Sequence, residues 1–169
     1  MSAQRVNIQR GLKLLFAIIA YWIVLPALLL FVARKLDLLL CFSPLPAEVA
    51  APIGGLLVLA SIAVSSWCAA TLYLRGGGFP LAFMPPERLV REGPYALSRH
   101  PIYVAFSVYL FGLSLIVRSR SGVMIVVPVF ALFWSLYALL HEERSLLRRY
   151  GEEYGQYRKD VPFFFPLLR

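Results

Sequence analysis

Charge is scarce in this sequence, and acidic charge is scarcest. Only 15% of its 169 residues are Asp, Glu, Lys or Arg, and just nine of them are acids. A soluble domain carries about a quarter of its residues as charges, so this composition excludes an ordinary water-soluble fold. Histidine is limited to His100 and His141, and cysteine to Cys41 and Cys68. Two cysteines cannot frame a disulfide-stapled domain, and no Cys/His spacing matches a zinc site, so no metal is expected. Basic residues exceed acids to give a net charge of +8. They form no stripe interleaved with exposed aromatics, which counts against a nucleic-acid surface. Internal repeats and low-complexity tracts are also lacking.

What the chain has instead is apolar length. It is 60% hydrophobic, with a mean hydropathy of +0.72. Four segments approach the roughly 20 apolar residues needed to cross the hydrocarbon core: 12–32, 52–74, 101–117 (on the short side) and 122–140. Helices are the expected spanning form, because lipid offers no partner for open backbone groups. The expected fold is all-α: a polytopic membrane bundle of about four transmembrane helices plus a C-terminal cytosolic amphipathic helix. Residues 1–169 read as one membrane domain. In it, 1–74 supply two packing helices and 75–169 a loop, a helical hairpin and an interfacial helix. Arg5, Arg10 and Lys13 ahead of the first segment imitate a signal peptide. That segment is long for a signal and lacks a clean small-x-small site, so it reads as a retained membrane helix.

Lys and Arg orient the bundle. With the N-terminus cytoplasmic, only Arg34, Lys35, Arg118 and Arg120 fall on outer loops, and the other Lys and Arg residues fall inside. Both termini are therefore expected in the cytoplasm, at the plasma or inner membrane in a bacterium. The turn Arg118-Ser119-Arg120-Ser121 is so short that the flanking segments must form an antiparallel hairpin. Going out and back at 1.5 Å per residue returns Glu142 to the level of His100.

Two polar clusters thus share one end of the hairpin. The first runs Gly93-Pro94-Tyr95-Ala96-Leu97-Ser98-Arg99-His100-Pro101-Ile102-Tyr103. Pro101 suits a first helical turn and Ser98 reads as its N-cap. Arg99 and His100 then lie at the positive end of a helix dipole, suited to an anionic group. As plain topology signals, the same two residues anchor the helix at the headgroups. Tyr95 and Tyr103 read either as interfacial belt residues or as flanks for a planar ring. The second cluster is His141-Glu142-Glu143-Arg144. Adjacent acids after an apolar run repel each other unless a cation or donor-rich ligand is close. Either Arg144 neutralises one of them, or Glu142 binds a diol or an amino group. Beyond them, Leu146, Leu147, Tyr150, Tyr154 and Tyr157 form one helical stripe, predicting an amphipathic helix broken near Gly155 or ended by Pro162. Residues 163–168 are expected to dip back into the interface.

The run from Pro86 to Tyr95, then Arg99-His100-Pro101-Ile102-Tyr103, resembles the isoprenylcysteine carboxyl methyltransferase family, whose wider group includes phospholipid methyltransferases. So do Glu142-Glu143, Leu146-Leu147, Tyr150 through Tyr154, Tyr157 and Val161-Pro162. The resemblance covers roughly the C-terminal half, and the first two segments carry no motif. It implies S-adenosyl-L-methionine as cofactor and a membrane lipid or amphiphilic small molecule as acceptor. By the same resemblance Glu87, Arg88, Leu89, Val90, Tyr95, His100, Pro101, Ile102, Tyr103 and Glu142 would contact the cofactor, with Arg99 and Glu143 as catalytic candidates. One position departs: eukaryotic members carry an arginine about a turn before the glutamate pair, where this chain has Ala138-Leu139-Leu140. That counts against an isoprenylcysteine acceptor. The alternatives are an NADPH-dependent reductase of the sterol-reductase type, which the Glu142-Glu143 sequence disfavours, and a non-catalytic scaffold. A transporter is least favoured, since the third and fourth segments carry no core charge.

Overall fold

The computed structural model describes residues 3–81 and 84–164. The chain is an all-α membrane helix bundle. Its first rod comprises α1 (Ala3–Ile19), a π-helical turn (Ala20–Val24) and α2 (Leu25–Leu39). Then come α3 (Ala47–Gly76), a folded loop holding the short α4 (Pro94–Leu97), and α5 (Pro101–Ile116). A second π turn (Gly122–Val126), α6 (Val127–Tyr137), a third π turn (Ala138–Glu142) and α7 (Glu143–Tyr150) form one further rod. The last helix is α8 (Glu152–Asp160). Among the described residues, three helices are long and apolar enough to span a membrane: Gly11–Leu39, Ala47–Gly76 and Gly122–Tyr150. α5, at 16 residues, is shorter.

α3 and α5 form the tightest pair. The buried face of α3 is mostly small: Ala50, Gly54, Ser61, Ser65, Cys68, Leu72 and Gly76. Helices in lipid gain by close backbone approach, and small residues permit it. The limit is reached at Gly54, where a Cβ would lie 2.6 Å from the Gly112 carbonyl oxygen. The reciprocal Cβ at Gly112 would lie 2.8 Å from the Gly54 oxygen.

The hairpin turn is held from outside. Asp37, at the end of α2, is only 8% exposed. Its carboxylate accepts from the Ser119 hydroxyl at 2.6 Å and from the Ser121 N–H at 2.7 Å. The Ser119 hydroxyl in turn accepts from the Gly122 N–H at 2.9 Å. These are the open donors of a helix start, satisfied here by an acid from another helix. Arg118, at φ +59°, is fixed by bonds in both directions with Leu45.

Several sequence expectations need correction. The fourth rod does not change element after Glu143 but runs on to Tyr150. Its break comes at Gly151, whose φ of +57° only glycine adopts cheaply, and not at Gly155, which lies inside α8. The other expected boundary holds: α8 ends at Asp160, and Val161, just before Pro162, is extended. Leu147 leaves the predicted stripe and is exposed, whereas Leu146, Tyr150, Tyr154 and Tyr157 stay together in one cluster. The N-cap of α5 is His100, not Ser98; the Ser98 hydroxyl accepts from the His100 N–H at 3.3 Å. The expected return of 163–168 to the interface lies, from Phe165 on, outside the described residues.

Replacing Asp37 by Ala strands two donors of the turn, the Ser119 hydroxyl and the Ser121 N–H, and is expected to cost about 1–3 kcal/mol. Thermal unfolding in detergent checks this; a melting temperature equal to wild type would show that the turn does not depend on Asp37.

Candidate functional site

The hairpin brings His100 and Glu142 together. The His100 ring bridges both acids: Nδ1 lies 3.7 Å from Glu142 Oε2 and Nε2 3.5 Å from Glu143 Oε1. The Tyr103 hydroxyl donates to Glu142 Oε2 at 2.6 Å. One ring face system continues from His100 to Tyr103 (centroids 5.6 Å, 10° between planes) and on to Trp134 (5.2 Å, 27°). The helix that starts at Pro101 sets this spacing, since His100 and Tyr103 are three residues apart and share a face.

The two glutamates have different surroundings. The Glu143 side chain is 2% exposed and ion-paired to Arg99, with Arg158 Nε 3.3 Å away. Arg144, the expected neutraliser, is exposed and pairs with neither acid. A buried carboxylate is tolerated only when cations and donors surround it, and Arg99, Arg158 and His100 meet that need. Glu142 is 35% exposed. Both of its contacts use Oε2, which leaves Oε1 without a partner among the described residues.

The C-terminal helices clamp the loop onto the hairpin. The Tyr157 hydroxyl donates to the Tyr95 carbonyl at 2.7 Å, and Tyr150 donates to the Pro86 carbonyl at 2.7 Å. Arg91 donates to the Glu153 carbonyl at 2.5 Å. The Arg99 N–H reaches the Pro162 carbonyl at 3.1 Å and the Ser98 hydroxyl the Phe163 carbonyl at 3.0 Å. The Phe163 ring lies against both Arg99 (5.4 Å) and His100 (4.7 Å). Burial pushes the Tyr154 phenol up to about 12, and that of Tyr157 also upward, so both stay neutral at physiological pH.

The remaining predicted residues divide into groups. Val90 and Tyr95 share a buried cluster with Cys68 and Leu72, against which Ile102 packs. The Tyr95 hydroxyl is buried with no hydrogen-bond partner among the described residues. Leu89 packs instead on the Tyr154–Tyr157–Val161 cluster, and Pro101 is buried at the start of α5. Glu87 and Arg88 are exposed, with no bond to the network. Residues 88–92 with Leu74 and Arg75 line a surface cavity of about 330 Å³. Sequence reasoning missed Arg158, Phe163 and Trp134. The first two were not legible, since only the fold shows that the tail turns back over His100. Trp134 lies two turns before Glu142 on the same rod, a spacing that does signal a shared face. Among the described residues no three His, Cys, Asp or Glu side chains form a group that could hold a metal.

The sequence matches the family described as phospholipid methyltransferase over residues 49–153. That is more than half of the chain, and the chain belongs to this family. Among curated relatives, it is 35% identical over 102 residues to the nickel-cobalt-cadmium resistance protein NccN of Alcaligenes xylosoxydans xylosoxydans, covering 60% of this chain and 43% of that one. It is 35% identical over 80 residues to the protein-S-isoprenylcysteine O-methyltransferase of Schizosaccharomyces pombe, covering 47% and 34%. The corresponding human protein is 34% identical over 82 residues, covering 48% and 28%. The chain thus spans less than half the length of these relatives. No solved structure matches it.

Glu143→Gln removes the charge that Arg99 and Arg158 share. Leaving a buried guanidinium uncompensated is expected to destabilise the protein by roughly 3–5 kcal/mol. Limited trypsin digestion should then cut at Arg158 and Lys159 much faster than in wild type. An unchanged cleavage rate would show that the ion pair does not hold the tail.

Proposed function

We propose that this protein is an integral membrane methyltransferase that uses S-adenosyl-L-methionine and acts on an amphiphile drawn from the bilayer. The observation that carries the reading is Glu142. Tyr103 and His100 fix one carboxylate oxygen and leave the other available at the mouth of the hairpin. Such an oxygen suits a ribose diol or an ammonium group, both of which the cofactor has. The buried, unpaired Tyr95 hydroxyl is a second free polar group on the loop side. The ring faces of Tyr103 and Trp134 suit an aromatic base. The residues present therefore fit the group, and family membership supports the same reading.

In this account His100, Tyr103, Tyr95 and Glu142 hold the cofactor, with Pro101 and Ile102 supplying apolar surface. Leu89 and Val90 anchor the loop that walls the site, and Glu87 and Arg88 lie at its rim. When bound, the cofactor supplies a methyl group on a sulfonium, whose bond to the methyl breaks to a neutral thioether as the acceptor's lone pair forms the new bond. The chain's task is in-line alignment and exclusion of water. Arg99 and Glu143 act as positioning residues, because their charges are spent on each other and on Arg158. The bias of Lys and Arg toward the segments at the site end, with only Arg34, Lys35, Arg118 and Arg120 on the opposite loops, supports placing that end in the cytoplasm.

Isothermal calorimetry with S-adenosylhomocysteine tests this. The wild type is expected to bind, and Glu142→Ala to bind at least tenfold more weakly while keeping its melting temperature within a few degrees. Absence of binding by the wild type at millimolar ligand would reject the proposal.

A further inference from the structure

The first rod lies outside the family-matched segment, yet it brings a polar group to the site. Near the hairpin turn, α2 runs close to Gly122–Val126 and to α5. Toward the N-terminus the rod leans away. Among the described residues, the backbones of α1 and of the π turn Ala20–Val24 stay more than 8 Å, Cα to Cα, from every helix outside their own rod. The backbones of the first rod and the hairpin therefore part on the side where Glu142 lies, leaving a wedge that side chains of the first rod partly fill.

Two large rings bridge this wedge. Trp22 meets Phe106 at 5.3 Å and Tyr109 at 5.1 Å; Tyr21 meets Phe106 at 4.2 Å and the edge of Trp134 at 6.5 Å. The π turn has a local cause. Pro26 has no N–H to give the Trp22 carbonyl, which accepts instead from the Tyr109 hydroxyl at 3.1 Å. That bond fixes the turn, and the turn fixes Tyr21. Trp22 is thus anchored at its backbone, whereas the Tyr21 hydroxyl makes no hydrogen bond among the described residues. The Tyr21 ring meets Trp134, which stacks on Tyr103, the residue whose hydroxyl holds Glu142. A phenol at membrane depth needs a partner that neither lipid tails nor its ring neighbours supply. π turns are also common where a helix presents a functional side chain.

We propose that Tyr21 is a specificity-determining residue whose hydroxyl hydrogen-bonds the polar head of the methyl acceptor lying in this wedge, an inference that rests on the methyl-transfer reading above. The geometry gives the head three surfaces: the half-buried Trp134 ring, the Tyr21 hydroxyl and the Glu142 side. The apolar tail lies outward along α1, where Leu12, Leu15, Phe16 and Ile19 are exposed.

Tyr21→Phe removes the hydroxyl and keeps the ring packing. In detergent micelles, its affinity for S-adenosylhomocysteine is expected to stay within twofold of wild type. Methyl transfer is followed with two probes, an amine-headed lysophosphatidylethanolamine and a carboxylate-headed N-acetyl-S-farnesylcysteine. For whichever is methylated, KM should rise about fivefold to tenfold, as for one lost hydrogen bond, with kcat within twofold. An unchanged KM overturns the proposal for Tyr21 while leaving the cofactor reading intact. Failure of the wild type to bind S-adenosylhomocysteine overturns the cofactor reading instead. If neither probe is methylated, p-benzoylphenylalanine placed at position 21 and, as a lipid-facing control, at position 23 decides. Enrichment of one polar-headed amphiphile at 21 over 23 after irradiation of native membranes supports the role. Identical lipid profiles at both positions overturn it.

Discussion

The buried carboxylate of Glu143 is the constraint on which the site depends. It sits at the end of the long fourth rod and is met by Arg99 from the loop, His100 from the start of α5 and Arg158 from α8. An ion at this burial is stable only if all its partners are in place at once. Satisfying it therefore joins three separately folded pieces at one point. The consequence is that His100 is held between two acids, and that the tail lies over it with Phe163 against its ring. Glu142, one residue earlier, inherits a fixed backbone without inheriting the charges. It is this difference between neighbours that leaves one acid structural and the other available.

The opposite end of the molecule does comparable work at distance. Asp37 supplies the acceptor that the start of the fourth rod lacks, so the hairpin turn stays compact. With the turn fixed, the backbone contact of Gly54 and Gly112 sets the separation of α3 and α5. The register of the hairpin, and with it the meeting of residues 100 and 142, follows from the fixed turn.

Much of this was legible in the sequence for definite reasons. Apolar length gave the rods, and the four-residue polar turn required the antiparallel return of Glu142 to His100. The family resemblance drawn from residues 86–103 and 142–162 agrees with the family match over 49–153. The illegible parts depend on tertiary structure. Nothing local marks Gly151 rather than Gly155 as the break, because both glycines sit among the same polar residues. Arg144 is the nearest cation to the acids in sequence, but a helix directs adjacent side chains about 100° apart. Arg99 and Arg158 approach through the fold instead. The first rod looked like mere packing because its polar contributions, Asp37 at the turn and the Tyr21 phenol set by a proline five residues on, find their neighbours only through the fold.

The central claim is that the hairpin mouth beside Glu142 is a nucleoside-cofactor site. An experimental structure of the full chain with S-adenosylhomocysteine tests it most directly. The account predicts the ligand's ribose or amino group within hydrogen-bond distance of Glu142 Oε1, and its base against the Tyr103–Trp134 rings. A ligand bound elsewhere on the chain, with Glu142 still facing only Tyr103 and His100, would contradict it.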